Sequence, residues 1–146
     1  MSGSLVIGIG NPLRGDDGVA WRLLEELEAE PSEGVTLRRV QQLTPELAAE
    51  LAAVERVLFV DAWCAPEGAK PSLHPLAPAS LRAGMNSHRL EPGMVLALVD
   101  SLYGGRPLAF ELLVPGTAFG HGTAFSADLD RALPMARLLL RNWMAG

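Results

Sequence analysis

The stretch LVIGIGNPLRGDDG, residues 5–18, constrains the fold of this chain more than any other feature. It opens with an apolar run, as expected for a strand that is covered on both faces in a parallel sheet. A glycine-rich turn follows, and two adjacent acids, Asp16 and Asp17, stand immediately before a helical pattern. A buried strand, a turn and a helix start in this order are typical of α/β folds, which bind ligands at the carboxyl edge of the sheet.

The rest of the chain alternates in the same way between apolar strands and amphipathic helices. Further strands are predicted at residues 35–40, 56–60 and 108–114, with an edge strand at 72–76, where prolines are tolerated. Helices are predicted from the two acids to about residue 30, over 92–103 and from Ser126 onward. A further short helix is predicted with Thr44 as its N-cap, Pro45 at its first position and Leu47 and Leu51 as its apolar stripe. We therefore predict one α/β domain over residues 1–146, a three-layer sandwich with a mostly parallel, twisted sheet of about five strands and helices on both faces.

Within the helices, the apolar spacing predicts which residues face the core. In the helix at 92–103 these include Leu98 and Leu102, and in the last helix they are Leu129, Ala132, Leu133, Ala136, Leu140 and Trp143. The helix face that carries Trp143 is also a candidate dimer contact, although no pattern requires a dimer. We therefore expect a monomer or a weak homodimer.

Length, charge and cysteine content narrow the functional classes. A chain of 146 residues, of which 49% are hydrophobic, can form a sizeable core, since proteins near this size bury roughly 70% of their unfolded surface. The net charge of −5 argues against a nucleic-acid partner. The single cysteine, Cys64, excludes an internal disulfide, and no apolar run approaches the ~20 residues of a membrane span. We therefore expect a cytoplasmic protein that does not act at a membrane.

The glycine turn also admits two ligand-binding interpretations. Gly8 and Gly10 begin like a dinucleotide fingerprint, but the third glycine should fall at position 13, which is Leu13. The second strand runs into glutamines rather than into an acid for the ribose, and this argues further against a dinucleotide. A small-ligand or phosphate-binding module that uses the turn and the following helix start remains an alternative, although the two acids would repel an anion.

Asp17, Asp61 and His88 are expected to share the carboxyl edge of the sheet. Asp17 follows the first strand, Asp61 closes the third, and His88 lies in the loop before the helix that begins at Pro92. Two carboxylates and one imidazole suit a divalent transition metal such as Ni, Zn or Mn, and the same set suits general acid/base catalysis. Asp16, by contrast, is predicted to cap the helix that follows it.

Other candidates are weaker. Cys64 and His88 suit a cysteine–histidine nucleophile pair, but a half-buried structural role for Cys64 beside Trp63 is the simpler interpretation. His121 lies between two glycines in the loop PGTAFGHG, where it either contacts a ligand or merely follows a tight turn. His74, among prolines, has no role that the pattern indicates.

The run GIGNPLRGDDGVA resembles the opening of the nickel–iron hydrogenase maturation endopeptidases. VLFVDA resembles that family's third strand with its terminal aspartate, and NSHRL followed by a helix resembles the segment that carries its histidine. The motifs occur in the family's order and span nearly the whole chain. QQLTPELA and, more loosely, VPGTAFGHG further resemble the branch that processes large subunits of soluble, bidirectional, NAD-linked hydrogenases.

This resemblance implies an endopeptidase that removes the C-terminal extension of a hydrogenase large-subunit precursor after nickel has been inserted. It implies that Asp17, Asp61 and His88 meet that nickel, which the precursor supplies. Because Asp17 and Asp61 are the clustered acids at the edge of the sheet, our hypothesis is that one of them activates a water for an aspartic-type or metal-assisted hydrolysis, with the nickel as Lewis acid. Some members have Glu at the position of Asp17, and Ala20 replaces a glycine of the usual pattern, a change that suits a helix interior. Peptidyl-tRNA hydrolases, whose opening has a similar glycine–asparagine turn, are the alternative enzyme class, but the acidic charge and the paired aspartates argue against them.

Overall fold

The part of the chain that the structure describes forms a five-stranded sheet. In the computed structural model, which describes residues 3–80 and 89–146, the strands are β1 (Ser4–Ile9), β2 (Val35–Val40), β3 (Arg56–Cys64), β4 (Ser72–Leu76) and β5 (Leu108–Gly116). The helices are α1 (Val19–Ala29), α2 (Leu47–Leu51), α3 (Pro92–Tyr103) and α4 (Ala127–Ala145), and a 3-10 turn, Gly15–Gly18, precedes α1. None of the helices described is both long and apolar enough to cross a membrane.

The strand order is β2-β1-β3-β5-β4. The pairs β1–β2, β1–β3 and β3–β5 are parallel, whereas β4 runs antiparallel to β5 at one edge. The predicted α/β class with a mostly parallel sheet of about five strands is therefore confirmed. β4 at the edge contains Pro75, which has no N–H to donate to an inner ladder.

Helices cover both faces of the sheet because strand side chains alternate between two buried sides. On one face, α1 and α4 pack over a cluster that includes Val6, Leu58 and Leu112. On the other face, α2 and α3 pack over Ile7 and Phe59. Since both faces are covered, the sequences of the inner strands are largely continuous apolar runs rather than alternating apolar and polar residues.

Three predicted details of the strands and helices were wrong. α2 begins at Leu47 with Glu46 at the N-cap position, rather than at Pro45 with Thr44 as the N-cap. β3 continues to Cys64, which pairs with Gly116 of β5, so Asp61 lies inside the strand rather than at its end. The charged side chain of Asp61 interrupts the apolar run and was taken as the end of the strand, whereas the backbone ladder with β5 continues beyond it. Leu102, predicted to face inward, is 63% exposed in the last turn of α3.

The C-terminal helix agrees with the prediction, with one consequence for assembly. Ser126 caps α4 by accepting a hydrogen bond from the Leu129 N–H at 3.1 Å, and every residue of the predicted inward face is buried. Trp143 belongs to this chain's own core, where the Arg56 guanidinium stacks on its ring at 4.1 Å. The helix face that carries Trp143 is therefore not available as a dimer contact.

Leu140→Ala is expected to lower the free energy of unfolding by about 2–5 kcal/mol, because truncation of a buried leucine leaves a cavity. Leu140 is 2% exposed, whereas Leu138, two residues away on the same helix, is 57% exposed. Leu138→Ala is the matched control and should change stability by less than about 0.5 kcal/mol. Urea unfolding followed by circular dichroism measures both, and equal destabilisation would contradict the assignment of Leu140 to the core.

Candidate active site at the carboxyl edge of the sheet

The order of the strands creates a switch point between β1 and β3. From β1 the chain runs outward to β2 at one edge of the sheet, and it then returns to β3 on the other side of β1. At such a point the connections that follow the two strands diverge and leave a crevice at the carboxyl edge. Asp17 follows β1 and Asp61 lies near the end of β3, so both predicted acids belong to this region.

Asp61 faces the side of the sheet that is covered by α2 and α3. It follows Val57 and Phe59 at alternate positions of β3, and both of these are buried in the cluster on that side. Its Oδ1 accepts a hydrogen bond from the Ala62 N–H at 2.8 Å. A cavity of about 20 Å³ adjoins the side chain, and its other lining residues are Ile9, Gln42, Leu43, Arg89, Leu90, Glu91 and Pro92.

Burial is the main reason why the pKa of Asp61 is raised from its ordinary value of 3.8 to about 7. The hydrogen bond from Ala62 and the charge of Arg89 lower this pKa, whereas the negative charges of Asp17 and Glu111 raise it. The electrostatic effect of Asp17 indicates that the two candidate acids lie close enough to influence each other. A carboxyl group with a pKa near neutrality can both accept and donate a proton at neutral pH, as general acid/base catalysis requires.

Asp17 is held in the 3-10 turn by the backbone around it. Its Oδ2 accepts a hydrogen bond from the Asn11 N–H at 2.8 Å, and its own N–H donates to the Arg14 carbonyl at 3.1 Å. Gly10 has a φ of 153°, and a Cβ there would lie 1.9 Å from the Asp17 carbonyl oxygen. Only glycine allows this close approach, so the glycine turn serves to place Asp17.

Backbone N–H groups of the same turn that could bind a phosphate are already hydrogen-bonded within the protein. The Gly15 N–H donates to the Gly122 carbonyl at 2.7 Å, and the Asp16 N–H donates to the Ala118 carbonyl at 2.8 Å. Anion sites of this kind need backbone N–H groups that point at the ligand. This observation argues against the phosphate-binding alternative.

Asp16 does not cap α1, contrary to the prediction. The helix begins without a side-chain cap, and the Asp16 carboxylate is fully buried, where it accepts hydrogen bonds at 2.6–3.0 Å from the Thr117 N–H, the Ala118 N–H and both the N–H and the hydroxyl of Ser126. Burial raises its pKa, but these hydrogen bonds outweigh burial, so the pKa of Asp16 lies below its ordinary value. No local pattern could reveal partners that lie more than 100 positions further along the chain.

His88, the third predicted metal ligand, lies outside the described residues. Within residues 3–80 and 89–146, no group of three acids, histidines or cysteines is placed to hold a metal ion. The metal set Asp17, Asp61 and His88 therefore stays a prediction, as does the alternative pair of Cys64 and His88. Cys64 itself is exposed at the end of β3, rather than half-buried as its structural interpretation requires.

The other two histidines differ in their surroundings. His74 Nε2 on β4 lies 2.9 Å from Glu111 Oε1 on β5. Glu111 pairs in register with Phe59, so it faces the same side of the sheet as Asp61, whose pKa it helps to raise. The sequence did not reveal this pair because the antiparallel pairing of β4 with β5 creates it. His121 is exposed in the loop after β5.

A larger groove, of about 580 Å³, opens between the β3–β4 connection and α4. Its lining includes residues 66–71, Pro115, Thr117 and part of α4. Neither Asp17 nor Asp61 contributes to it. We therefore locate the candidate site by the two acids at the switch point rather than by cavity size.

Replacement of Asp61 by asparagine is expected to remove a pH-dependent loss of stability. Because the pKa of Asp61 is about 7 in the folded protein, well above its ordinary value, the folded state binds the proton more tightly than the unfolded chain. Its contribution to the free energy of unfolding therefore falls as the pH rises from about 4 to about 7 and is constant above that. Asp61→Asn should match the wild type near pH 4 and should be more stable by up to about 4 kcal/mol above pH 7, at about 1.4 kcal/mol per pKa unit.

Urea unfolding at several values between about pH 4 and about pH 8 measures this difference. Asp130→Asn, which changes an exposed acid on α4, is the control and should follow the wild type. A constant difference between Asp61→Asn and the wild type over this range would contradict a raised pKa at Asp61.

The fold is similar to that of several solved structures. The hydrogenase maturating endopeptidase HybD from E. coli matches with a TM-score of 0.74 at 18% sequence identity, over 94% of this chain and 89% of that one. The nickel–iron hydrogenase maturation protease HybD from Thermococcus kodakarensis matches with a TM-score of 0.72 at 17% identity, over 97% and 98% of the two chains. The maturation protease HycI from the same organism matches with a TM-score of 0.68 at 22% identity, over 94% and 89%.

Sequence comparisons add no match to these structures. No protein-family model matches the chain, and no curated protein sequence does. At the identities of the solved structures the similarity concerns the architecture, and it extends over nearly the whole length of each chain. The chain therefore has the fold of the nickel–iron hydrogenase maturation proteases.

Proposed function

We propose that this protein is an endopeptidase that removes the C-terminal extension of a nickel-loaded hydrogenase large-subunit precursor. The observation that carries the proposal is the placement of Asp17 and Asp61 together at the switch point, with a pKa near neutrality at Asp61. The fold, which is similar to that of hydrogenase maturation proteases, supports it. The motifs around both acids support it independently, because they resemble that family in sequence.

Nickel enters this proposal as part of the substrate. A metal that the precursor already binds needs only a few further ligands from the protease, and Asp17, Asp61 and His88 have suitable donor atoms. A precursor without nickel lacks these interactions and binds less tightly, so differential affinity makes cleavage wait for the metal. The assignment of His88 as a ligand to this nickel rests on the NSHRL motif alone.

Hydrolysis requires that a water molecule lose a proton, that its oxygen bond to the scissile carbonyl carbon, and that the departing amine gain a proton. Asp61 suits both proton transfers, because its pKa lies near neutrality. Asp17 is oriented by its hydrogen bond from Asn11, while its Oδ1 has no hydrogen-bond partner among the described residues. We assign Asp61 as the general base that takes the proton of the water and then as the general acid that gives a proton to the amine. Asp17 is assigned as the carboxylate that orients the water and the nickel-bearing end of the precursor. The nickel would polarise the scissile carbonyl.

We infer the finer identity of the partner from the sequences of two stretches. QQLTPELA and VPGTAFGHG resemble the branch that processes large subunits of soluble, bidirectional, NAD-linked hydrogenases, which implies action in the cytoplasm. Gln42 and Leu43 of the first stretch line the cavity next to Asp61. Thr117 and Ala118 of the second stretch donate hydrogen bonds to Asp16, next to Asp17. The first stretch therefore borders the candidate site, and the second is hydrogen-bonded to the turn that carries Asp17.

Cleavage of a purified large-subunit precursor tests the function. The protein is expected to shorten the nickel-loaded precursor at its C-terminal end and to leave the nickel-free precursor intact, as mass spectrometry of the products measures. Asp61→Asn should lower the rate by at least about 100-fold, because proton transfer contributes at least that much to such reactions. Asp17→Asn should lower the rate by about 100-fold, because the water and the nickel-bearing end of the precursor would lose the group that orients them. Asp130→Asn, on the exposed side of α4, is the control and should cleave at the wild-type rate.

Four outcomes would count against the proposal. Equal cleavage of the nickel-free precursor would remove the metal dependence, and full activity of Asp61→Asn would remove its catalytic assignment. Failure of the folded wild-type protein to cleave the nickel-loaded precursor of the soluble, bidirectional branch would contradict the choice of partner. If precursors of other branches were also left intact, the endopeptidase function itself would be wrong.

A further inference from the structure

The Asp16 carboxylate connects parts of the chain that are far apart in sequence. Asp16 lies in the turn between β1 and α1, whereas its donors lie at the start of the β5–α4 connection and at the N-cap of α4. The Ser126 hydroxyl donates to Asp16 at 2.6 Å and accepts from the Leu129 N–H at 3.1 Å. One buried carboxylate therefore holds the turn, the connection and the first turn of α4 together.

Backbone contacts reinforce this connection. The Asp16 N–H donates to the Ala118 carbonyl at 2.8 Å, and the Gly15 N–H donates to the Gly122 carbonyl at 2.7 Å. A Cβ on Gly15 would lie 2.5 Å from the Ala118 carbonyl oxygen, so the two segments touch without a gap. The turn that carries Asp17 cannot shift unless the connection after β5 shifts with it.

The connection after β5 is itself fixed relative to Asp61. β5 pairs with β3 as far as Gly116 and Cys64, and Asp61 stands opposite Leu113 in this ladder. A Cβ on Gly116 would come 2.8 Å from the Asp16 Cβ, so Asp16 packs directly against the end of β5. Asp16 therefore contacts the strand that pairs with the strand of Asp61.

We propose that Asp16 is a positioning residue that sets the distance and orientation of Asp17 relative to Asp61. The direct ladder between β1 and β3 ends at the pair Gly8 and Val60 and does not reach Asp17. The hydrogen bonds of Asp16 supply a second connection, which runs through β5. The inference rests on the proposed function, because only a site that uses both acids requires a fixed separation between them.

The chemistry of the contact requires a carboxylate of this length. Three donors converge on Oδ2, and the Ser126 N–H donates to Oδ1. Asparagine keeps the size of the side chain but turns one of the two oxygens into an NH₂ group, which then faces a donor. Glutamate keeps the charge but adds a methylene group to a site that has no exposed surface.

Steady-state kinetics on the nickel-loaded precursor tests the inference. Asp16→Asn is expected to lower kcat by about 10- to 100-fold while KM changes less than about 2-fold, since misplacement of a catalytic group impairs the reaction more than binding. Ser126→Ala removes one donor and leaves the carboxylate in place, so it should lower kcat by a smaller factor. It also keeps the test available if Asp16→Asn does not fold.

Leu140→Ala is the matched control for stability. It weakens α4 from within the core but leaves every donor to Asp16 intact, so its kcat should equal that of the wild type at a temperature where all variants are folded. Loss of kcat to the same extent in Leu140→Ala and Ser126→Ala would overturn the inference, because general destabilisation would then explain both.

A second measurement needs no substrate. The Asn11 N–H donates to Asp17 Oδ2 at 2.8 Å, so its amide resonance in a ¹H–¹⁵N spectrum reports the position of Asp17. This resonance should move in Asp16→Asn and Ser126→Ala but stay in place in Leu140→Ala. An unmoved Asn11 resonance in both Asp16→Asn and Ser126→Ala would overturn the inference, even if the wild-type enzyme cleaves the precursor. A moved resonance in a protein that cleaves no precursor would instead place the failure in the proposed function.

Discussion

The burial of β1 on both faces is the constraint on which the rest of the structure depends. Its backbone pairs with β2 on one side and with β3 on the other. α1 and α4 cover one of its faces, and α2 and α3 cover the other. A strand enclosed in this way cannot move without opening both hydrophobic clusters. The turn at its carboxyl end therefore starts from a fixed position. A catalytic side chain needs a rigid backbone of this kind, because reacting groups must be held within about 0.5 Å of their productive positions.

At the carboxyl edge, this rigid framework holds a carboxyl group, that of Asp61, whose ionisation is unfavourable. Burial and the charge of Asp17 make ionisation of Asp61 unfavourable, and a carboxyl group that ionises less readily in the folded state destabilises it at neutral pH. An apolar side chain at position 61 would suit the neighbouring cluster of Val57 and Phe59 better. Asp16, one residue from Asp17, shows the opposite balance, because its hydrogen bonds outweigh its burial. Folding alone accounts for Asp16 but not for Asp61, and this difference is what separates a structural acid from a candidate catalytic one.

Most of the fold followed from local patterns, and the exceptions have identifiable causes. β2, β4 and α3 occupy the predicted residues, because a glycine or a proline marks the start of each. β3 was predicted too short, since Asp61 interrupts its apolar run where β5 still provides backbone partners. Asp17 and Asp61 emerged as candidates from their positions after strands, which a parallel sheet brings to one edge. The pairing of His74 with Glu111 and the true partners of Asp16 were not predictable, because each depends on which strands and loops become neighbours.

By itself, the sequence determined the alternation of strands and helices, the buried face of the last helix, and the presence of acids at the carboxyl edge. These features depend on residues a few positions apart, and short-range periodicity encodes them. Only the tertiary structure decided what Asp16 and Asp17 do. The two side chains are chemically identical neighbours, yet one meets the loop after β5, more than 100 positions away, and the other meets Asn11 within its own turn. Which distant segment lies beside a residue is set by the order of strands in the sheet, and no local pattern carries that information.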